Sequence, residues 1–306
     1  MTPAEVFSQQ LANGLTIGAI YALIALGYTM VYGVIQLINF AHGEVFMVGA
    51  YLALTALSLV GAGSGLSGAA LCGVLLLAVA ISTGGCALLG LGIERSAYRP
   101  LRQAPRLAAL ITAIGMSFFL QNAVMLIYGA TDKRFPAVLP SVRLTIAGAS
   151  VTGLQVAIWV TSGLLMVGLH VLVMSTKLGM AMRATAQDPK ACRLLGIPVD
   201  RVIALTFAIG SALAAFGGLL YGLHYNTINF HDGYLVGLKA FTAAVLGGIG
   251  NIPGAMVGGV VLGILEAFGA GYLFAQWKNV FAFVVLVGLL LFRPTGLLGE
   301  RVADRA

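Results

Sequence analysis

From Val45 to Ile93 the chain carries no Asp, Glu, Lys or Arg. A bilayer crossing takes about 20 apolar residues, so this one run holds two crossings. Further charge-free runs extend over Val6–Gly43, Leu107–Thr131, Leu144–Thr176, Val202–His231, Ala240–Leu265 and Asn279–Phe292. Only 9% of the residues are charged and 59% are hydrophobic, which leaves too few charges to cover a soluble core of this size. The same composition excludes a disordered chain and a disulfide scaffold. The apolar runs are continuous, whereas barrel strands alternate. The fold expected is therefore an all-α polytopic membrane protein, a single membrane domain over 1–306 with about eight to nine spans, some of them broken or re-entrant. Helices are required because only they satisfy their own backbone in lipid.

The spans expected are 9–35, 45–62, 67–93, 107–128, 151–174, 202–223, 235–249, 255–272 and 279–293. Of 17 basic residues, 12 fall in three places: loop 94–106, loop 175–201 and the tail with Arg293, Arg301 and Arg305. The positive-inside bias puts those three in the cytoplasm and accounts for the net charge of +7 without nucleic acid. Loop 129–150 then lies outside, and counting back through three spans puts the N-terminus outside too. A broken span among the first two would change that parity. The first ten residues hold Glu5 and no Lys or Arg, which argues against a cleaved signal peptide. Small-xxx-small spacings at Gly14/Gly18, Gly250/Gly254/Gly258 and Gly259/Gly263 suit closely packed helices.

Enzyme signatures are missing. No Lys follows a Gly, so there is no Walker A loop. No HExxH and no GxSxG occurs. Cys72, Cys86 and Cys192 are widely spaced, and neither they nor the four histidines sit at metal-ligand spacing. No metal and no cofactor is expected on this chain.

Polar residues at membrane depth are functional candidates by default. Asn39, His42 and Glu44 interrupt the N-terminal apolar region. They line a path, or they form a turn at the membrane surface with Asn39 capping a helix. Lys239 and Glu266 are isolated charges of opposite sign. They meet a zwitterionic solute, or Lys239 snorkels and Glu266 pairs with it. The segment Gly247–Gly254 (GGIGNIPG) breaks an apolar stretch, either as a broken helix along a path or as a turn between two crossings.

Loop 175–201 has its own punctuation. Asp188 and Pro189 read as a cap and first residue of a short helix; Gly196 supplies a left-handed stop and Pro198 prevents continuation. Upstream, Met180, Arg183, Ala184 and Gln187 share one face of another short helix. With Cys192 inside it and Leu194, Leu195 and Ile197 at its end, the second helix is either a docking knob or a helix lying on headgroups.

The stretches Gly27–Glu44 (GYTMVYGVIQLINFAHGE), Ile93–Pro100 (IERSAYRP), Leu194–Ala212 (LLGIPVDRVIALTFAIGSA) and Lys239–Gly259 (KAFTAAVLGGIGNIPGAMVGG) closely resemble the LivH-type permease subunit of bacterial branched-chain amino-acid ABC importers. The resemblance covers most of the chain. It implies a multi-pass subunit of the bacterial inner membrane, without its own ATPase site. Its implied partners are a second, LivM-type permease, two cytoplasmic ATPase subunits that use ATP, and a periplasmic substrate-binding protein. It also implies that the region 184–198 meets the ATPase, here through Asp188, Cys192, Leu194, Leu195, Gly196 and Ile197, with Arg183 immediately before it. Translocation would proceed by alternating access. A secondary amino-acid transporter is the rival reading; it would need no ATPase and would show coupling-ion residues near the membrane midplane.

Overall fold

The chain's three-dimensional structure, a computed structural model, describes residues 2–61, 68–102, 104–138, 142–146, 148–273, 275–293 and 295–299. Gln103 of the first basic loop, and Arg301 and Arg305 of the tail, lie outside the described residues. Eleven α-helices occur among them. In chain order they are α1 (Pro3–Ile35), α2 (His42–Leu59), α3 (Gly68–Ile93), α4 (Arg106–Tyr128), α5 (Gly153–Ser175), α6 (Lys177–Gln187), α7 (Pro189–Leu194), α8 (Val199–Tyr225), α9 (Asp232–Gly247), α10 (Ile252–Tyr272) and α11 (Lys278–Phe292). Seven are long and apolar enough to cross a membrane, and α11 is a shorter apolar helix.

Two expectations need correction. The span drawn over 151–174 begins too early: Val151 and Thr152 belong to a strand, β3 (Ala149–Thr152), paired antiparallel with β2 (Arg143–Ile146). A second pair joins β1 (Lys133–Arg134) to β4 (Thr227–Ile228). The helix of α5 starts only where Thr152 caps it and exchanges hydrogen bonds with Gln155. The run carries no charge through the strand, so charge-free length alone could not separate the two; the Thr152-x-x-Gln155 capping pair was the signal. In loop 94–106, α3 continues as a π-turn over Glu94–Tyr98.

The helices share two ends. At one end Ile35 and Leu37 lie beside Arg99, Arg102, Asp188 and Lys190. By the basic-residue bias this end is cytoplasmic. At the other, Gln9 accepts from the Ser150 amide at 2.9 Å and lies near Arg143 and Asn226. So α1 runs from the outer end to the cytoplasmic end, and α8 runs the opposite way.

Helix α1 is the central post. From Ala19 to Val31 it is buried on every side, packed by α8, α9 and α10. An apolar helix without a polar stripe suits such a position. The contact with α10 is backbone on backbone: a Cβ on Gly263 would collide with the Gly18 backbone. That is the close approach expected of small-xxx-small spacing. Helices α3, α4 and α5 keep most of their surface exposed.

The break at Gly247–Gly254 is a turn between two antiparallel helices. Gly248 and Gly250 take positive φ of 105° and 94°, Asn251 caps α10 through the Gly254 amide at 3.0 Å, and Pro253 sits in its first turn. The segment 295–299 straps this turn, with Leu297 and Leu298 amides donating to the carbonyls of Leu246 and Gly247.

Candidate translocation and coupling sites

Three sets of residues stand out, and the fold treats each differently. The first is the cytoplasmic helix α7. Asp188 accepts from the amides of Lys190 at 2.8 Å and Ala191 at 3.0 Å, with Pro189 next in the helix. These two backbone donors hold the Asp188 carboxyl below the usual carboxylate range. The helix stops on Gly196 at φ +80°. The Gly196 amide donates to Arg193 and the Ile197 amide to Cys192, the two bonds of a Schellman closure. Leu194 is 90% exposed and Leu195 is 80% exposed. Arg183, on α6, is exposed and donates to the Met174 sulfur. Cys192 faces inward and is buried, while Ile197 is half-buried. Those two therefore seat α7 on its own fold and offer a partner little surface.

Behind α7, Asp200 gathers three guanidiniums: Arg102 at 2.5 Å, Arg99 at 2.9 Å and Arg193 at 3.8 Å. Arg102 also pairs with the buried Glu94. This network joins α7 to the start of α8 and to the end of α3. Asp200 itself sits in the first turn of α8. The basic cluster at Arg99 and Arg102 was the available signal for its partners.

The second set is Lys239 with Glu266. Lys239 Nζ donates to Glu266 Oε1 at 2.7 Å, and Tyr21 Oη donates to Glu266 Oε2 at 3.0 Å. Lys239 Nζ also lies 5.8 Å from the Tyr21 ring centre, within cation–π range. Both charged side chains are buried. One ion pair thus ties α1, α9 and α10 together, with both carboxylate oxygens occupied.

The third set is the corner between α1 and α2. Gln36 leaves α1 in the left-handed region, φ 52°. The chain then turns back into the protein. Asn39 Oδ1 accepts from the Ala41 amide at 3.1 Å and from Tyr98 Oη at 3.0 Å. The His42 ring lies edge-on to Tyr28, centroids 4.7 Å apart, two turns before α1 ends. Asn39, His42 and Glu44 are all buried, so the corner is folded into the protein and packed on Tyr28 and Tyr98. Ser117 Oγ on α4 donates to Glu44 Oε1 at 3.2 Å, and Glu44 Oε2 has no hydrogen-bond partner among the described residues.

The same corner occurs a second time. Asn226 leaves α8 at φ 56°, and Gln36 and Asn226 are the two positive-φ residues other than glycine among the described residues. Asn229 Oδ1 accepts from the His231 amide at 2.9 Å, and α9 begins at Asp232. The signal was in the sequence: Ile38-Asn39-Phe40, then Gly43, against Ile228-Asn229-Phe230, then Gly233. Because α1 and α8 run oppositely, the two corners enter from opposite ends. They meet where Gly43 packs on Gly233 and Gly237, at a spacing that admits no Cβ.

Comparison with known proteins agrees with this architecture. A family model described as "Branched-chain amino acid transport system / permease component" matches residues 10–290. The high-affinity branched-chain amino acid transport system permease protein BraD of Pseudomonas aeruginosa is 52% identical over 303 residues, 98% of each chain. The corresponding permease protein LivH of Escherichia coli K12 is 48% identical over 308 residues, 98% of this chain and 97% of that one. More distantly, the autoinducer 2 import system permease protein LsrC of Klebsiella pneumoniae is 28% identical over 193 residues, 61% of this chain and 55% of its own. With the family model spanning most of the chain and relatives near half identity from end to end, this polytopic helical protein belongs to the family of branched-chain amino acid transport system permease components.

Proposed function

We propose that this chain moves branched-chain amino acids across the bacterial inner membrane, paired with a second, LivM-type permease and driven by two cytoplasmic ATPase subunits. The reading rests on family membership, which makes the chain a permease component of an ABC import system whose ATP is hydrolysed by partner subunits. A periplasmic binding protein delivers the solute. The path runs by the buried corner with Asn39, His42 and Glu44. Lys239 and Glu266 support it from behind.

One observation carries the coupling role. Leu194 and Leu195 project from a capped helix at the cytoplasmic end, and nothing among the described residues buries them. Exposed leucines on a rigid knob call for a protein groove. Arg183 and Asp188 flank that surface, Gly196 sets its angle, and Cys192 and Ile197 anchor it. Closure of the ATPases pushes on α7. The Asp200 network passes the push to α3 and α8 together. For ATP to drive the cycle it must favour one conformation over the other; tight binding alone shifts nothing.

Reconstituted ATPase activity tests this. Leu195→Ala removes a central anchor, a loss of about 2 kcal/mol or more at an interface. Gly196→Val fills open space but forces a branched side chain onto φ +80°. Both changes are expected to abolish uptake and binding-protein-stimulated ATP hydrolysis while the subunit still inserts. Normal coupling and normal recovery of the ATPase subunits in both variants would sink the docking role.

A further inference from the structure

Helices α3 and α8 pack along each other and share their cytoplasmic ends. There α3 closes in the π-turn Glu94–Tyr98, and α8 begins at Val199, just after α7. Between these ends lies a cavity of about 860 Å³. Arg95 lines it from the π-turn, Arg99 from just beyond, Arg193 from α7 and Arg201 from the first turn of α8. All four are exposed. Every basic residue on the wall is thus an arginine.

Two carboxylates also line the cavity, Glu94 and Asp200, and both are already occupied. Glu94 pairs with Arg102. Asp200 serves Arg102, Arg99 and Arg193 together. Arg95 and Arg201 have no carboxylate within ion-pair distance among the described residues. Five guanidiniums therefore meet two carboxylates here, an excess of three positive charges.

The floor is apolar. Leu91 lies one turn deeper than Arg95, and Ala204 one turn deeper than Arg201. Both belong to helices long and apolar enough to cross a membrane. Leu88 and Leu205 continue the same two faces and are 71% and 44% exposed. Beside Leu88, Gly92 leaves open space: a Cβ there would meet nothing within 4 Å. A cationic rim over an exposed apolar strip has the layout of a phospholipid, phosphate at the interface and acyl chain below. Guanidinium forks suit phosphate oxygens, two N–H bonds at a time. Basic pockets between membrane helices on the cytoplasmic side take anionic headgroups. A zwitterionic headgroup would bring its own cation to a place with cations in excess. Leu194 and Leu195 do not line the cavity, so it is a different surface from the docking knob of α7.

We propose that this cavity holds the phosphate of an anionic phospholipid of the inner leaflet. Arg95 and Arg201 bind the phosphate, and Arg99 and Arg193, shared with Asp200, complete the rim. One acyl chain lies along Leu88, Gly92 and Leu205. The bound lipid joins the end of α3 to α7 and α8, the same elements that the Asp200 network joins. Such a site does not depend on which solute crosses.

Lipid binding to the complex purified with its co-purifying subunits tests the site. Fluorescent phosphatidylglycerol and phosphatidylcholine of equal chain length are titrated against it in neutral detergent. A basic residue beside an anionic headgroup is worth about fivefold in affinity. Phosphatidylglycerol should therefore bind at least about tenfold more tightly than phosphatidylcholine. Arg95→Gln/Arg201→Gln should weaken phosphatidylglycerol about 25-fold and leave phosphatidylcholine unchanged. Lys177→Gln removes an exposed charge at the same end but outside the cavity, and should change neither. Gly92→Phe fills the strip and should weaken phosphatidylglycerol with every arginine in place; it serves if the glutamine pair fails to assemble. Equal affinity for the two lipids, or unchanged phosphatidylglycerol affinity in the glutamine pair, overturns the site. Displacement of the lipid by millimolar inorganic phosphate, with Gly92→Phe silent, would make this a site for soluble phosphate and overturn the lipid assignment. Lipid binding that appears only after the ATPase subunits are removed would give the groove to a protein partner and overturn it as well.

Discussion

Glu44 and Glu266 are both buried within the helix bundle, and they live differently. Glu266 is saturated by Lys239 and Tyr21, all from its own chain. Glu44 has Ser117 on one oxygen and no hydrogen-bond partner on the other among the described residues. Burial alone therefore does not mark a working acid. Taking an ion pair out of water is costly even when the pair is made well, and what separates the two sites is whether the structure itself completes them. The Glu266 pair fastens three helices. The Glu44 corner packs its second oxygen against Gly233, where the two corners meet.

The sharpest way to break this contrast is to remove one member of the closed pair. Lys239→Met or Glu266→Gln leaves a lone buried charge or an unused cation, at a cost of about 3–5 kcal/mol. Each single change should lower the yield of assembled subunit strongly, and the double change should recover much of it. A cycle in which the two effects simply add would dissolve the pairing. Glu44→Gln, measured beside them, should leave yield near normal, because it removes a charge that has no cation partner.

A smaller effect sharpens the same comparison. Tyr21→Phe deletes the second donor to Glu266 and should cost about 1.5–3 kcal/mol, the worth of a hydrogen bond to a charged group. The readout is the thermal midpoint of the detergent-solubilised subunit. The same change should be near silent in the Lys239→Met/Glu266→Gln background, where no carboxylate remains. An equal drop in both backgrounds would mean that Tyr21 acts through packing.

The smallest effect lies in the cytoplasm. Asp188 is exposed, and its lowered pKa comes from the amides of Ala191 and Lys190. A depressed carboxyl adds stability that is fully present above its unfolded value, about 3.9, and is lost as pH falls through the folded value. Amide exchange over residues 188–197 should thus show constant protection at neutral pH and fraying only in acid below the ordinary carboxylate range. Asp188→Asn keeps an acceptor and should remove that acid dependence. Identical acid profiles for the two proteins would assign the cap no electrostatic part.

Helix α7 was legible because capping is local: Asp188, Pro189, Gly196 and Pro198 declare its ends within a dozen residues. That the chain is a polytopic bundle of apolar helices was legible from apolar length, although nine spans were expected where seven helices are long and apolar enough to cross and α11 is shorter. The corners were not, because Asn39 and Glu44 read equally well as a surface turn, and only tertiary packing around Tyr28, Tyr98 and Ser117 draws them inward. The repeat of Ile-Asn-Phe at 38–40 and 228–230 was the missed clue. The strand at Ala149–Thr152 was hidden for a different reason, since it lies in the same charge-free run as the helix that follows and only the capping pair Thr152 and Gln155 separates them. Lys239 and Glu266 were visible as isolated opposite charges, but their third partner, Tyr21, lies on a helix more than two hundred residues away.

The burial of α1 has a consequence for how the protein is made. Chains are synthesised from the N-terminus, so α1 reaches the bilayer before α8, α9 and α10. Its packing neighbours α8, α9 and α10 come from the last third of the chain. Until they arrive, the future centre of the bundle must wait in lipid, tolerable for a helix whose backbone is internally bonded and whose face is apolar all round. Lys239 enters with α9 before Glu266 has been translated, so the interval between those two helices is when the half-made protein is least at ease. A ribosome stalled after α9 should therefore present an intermediate that membrane quality control recognises, while one stalled after α10 should not.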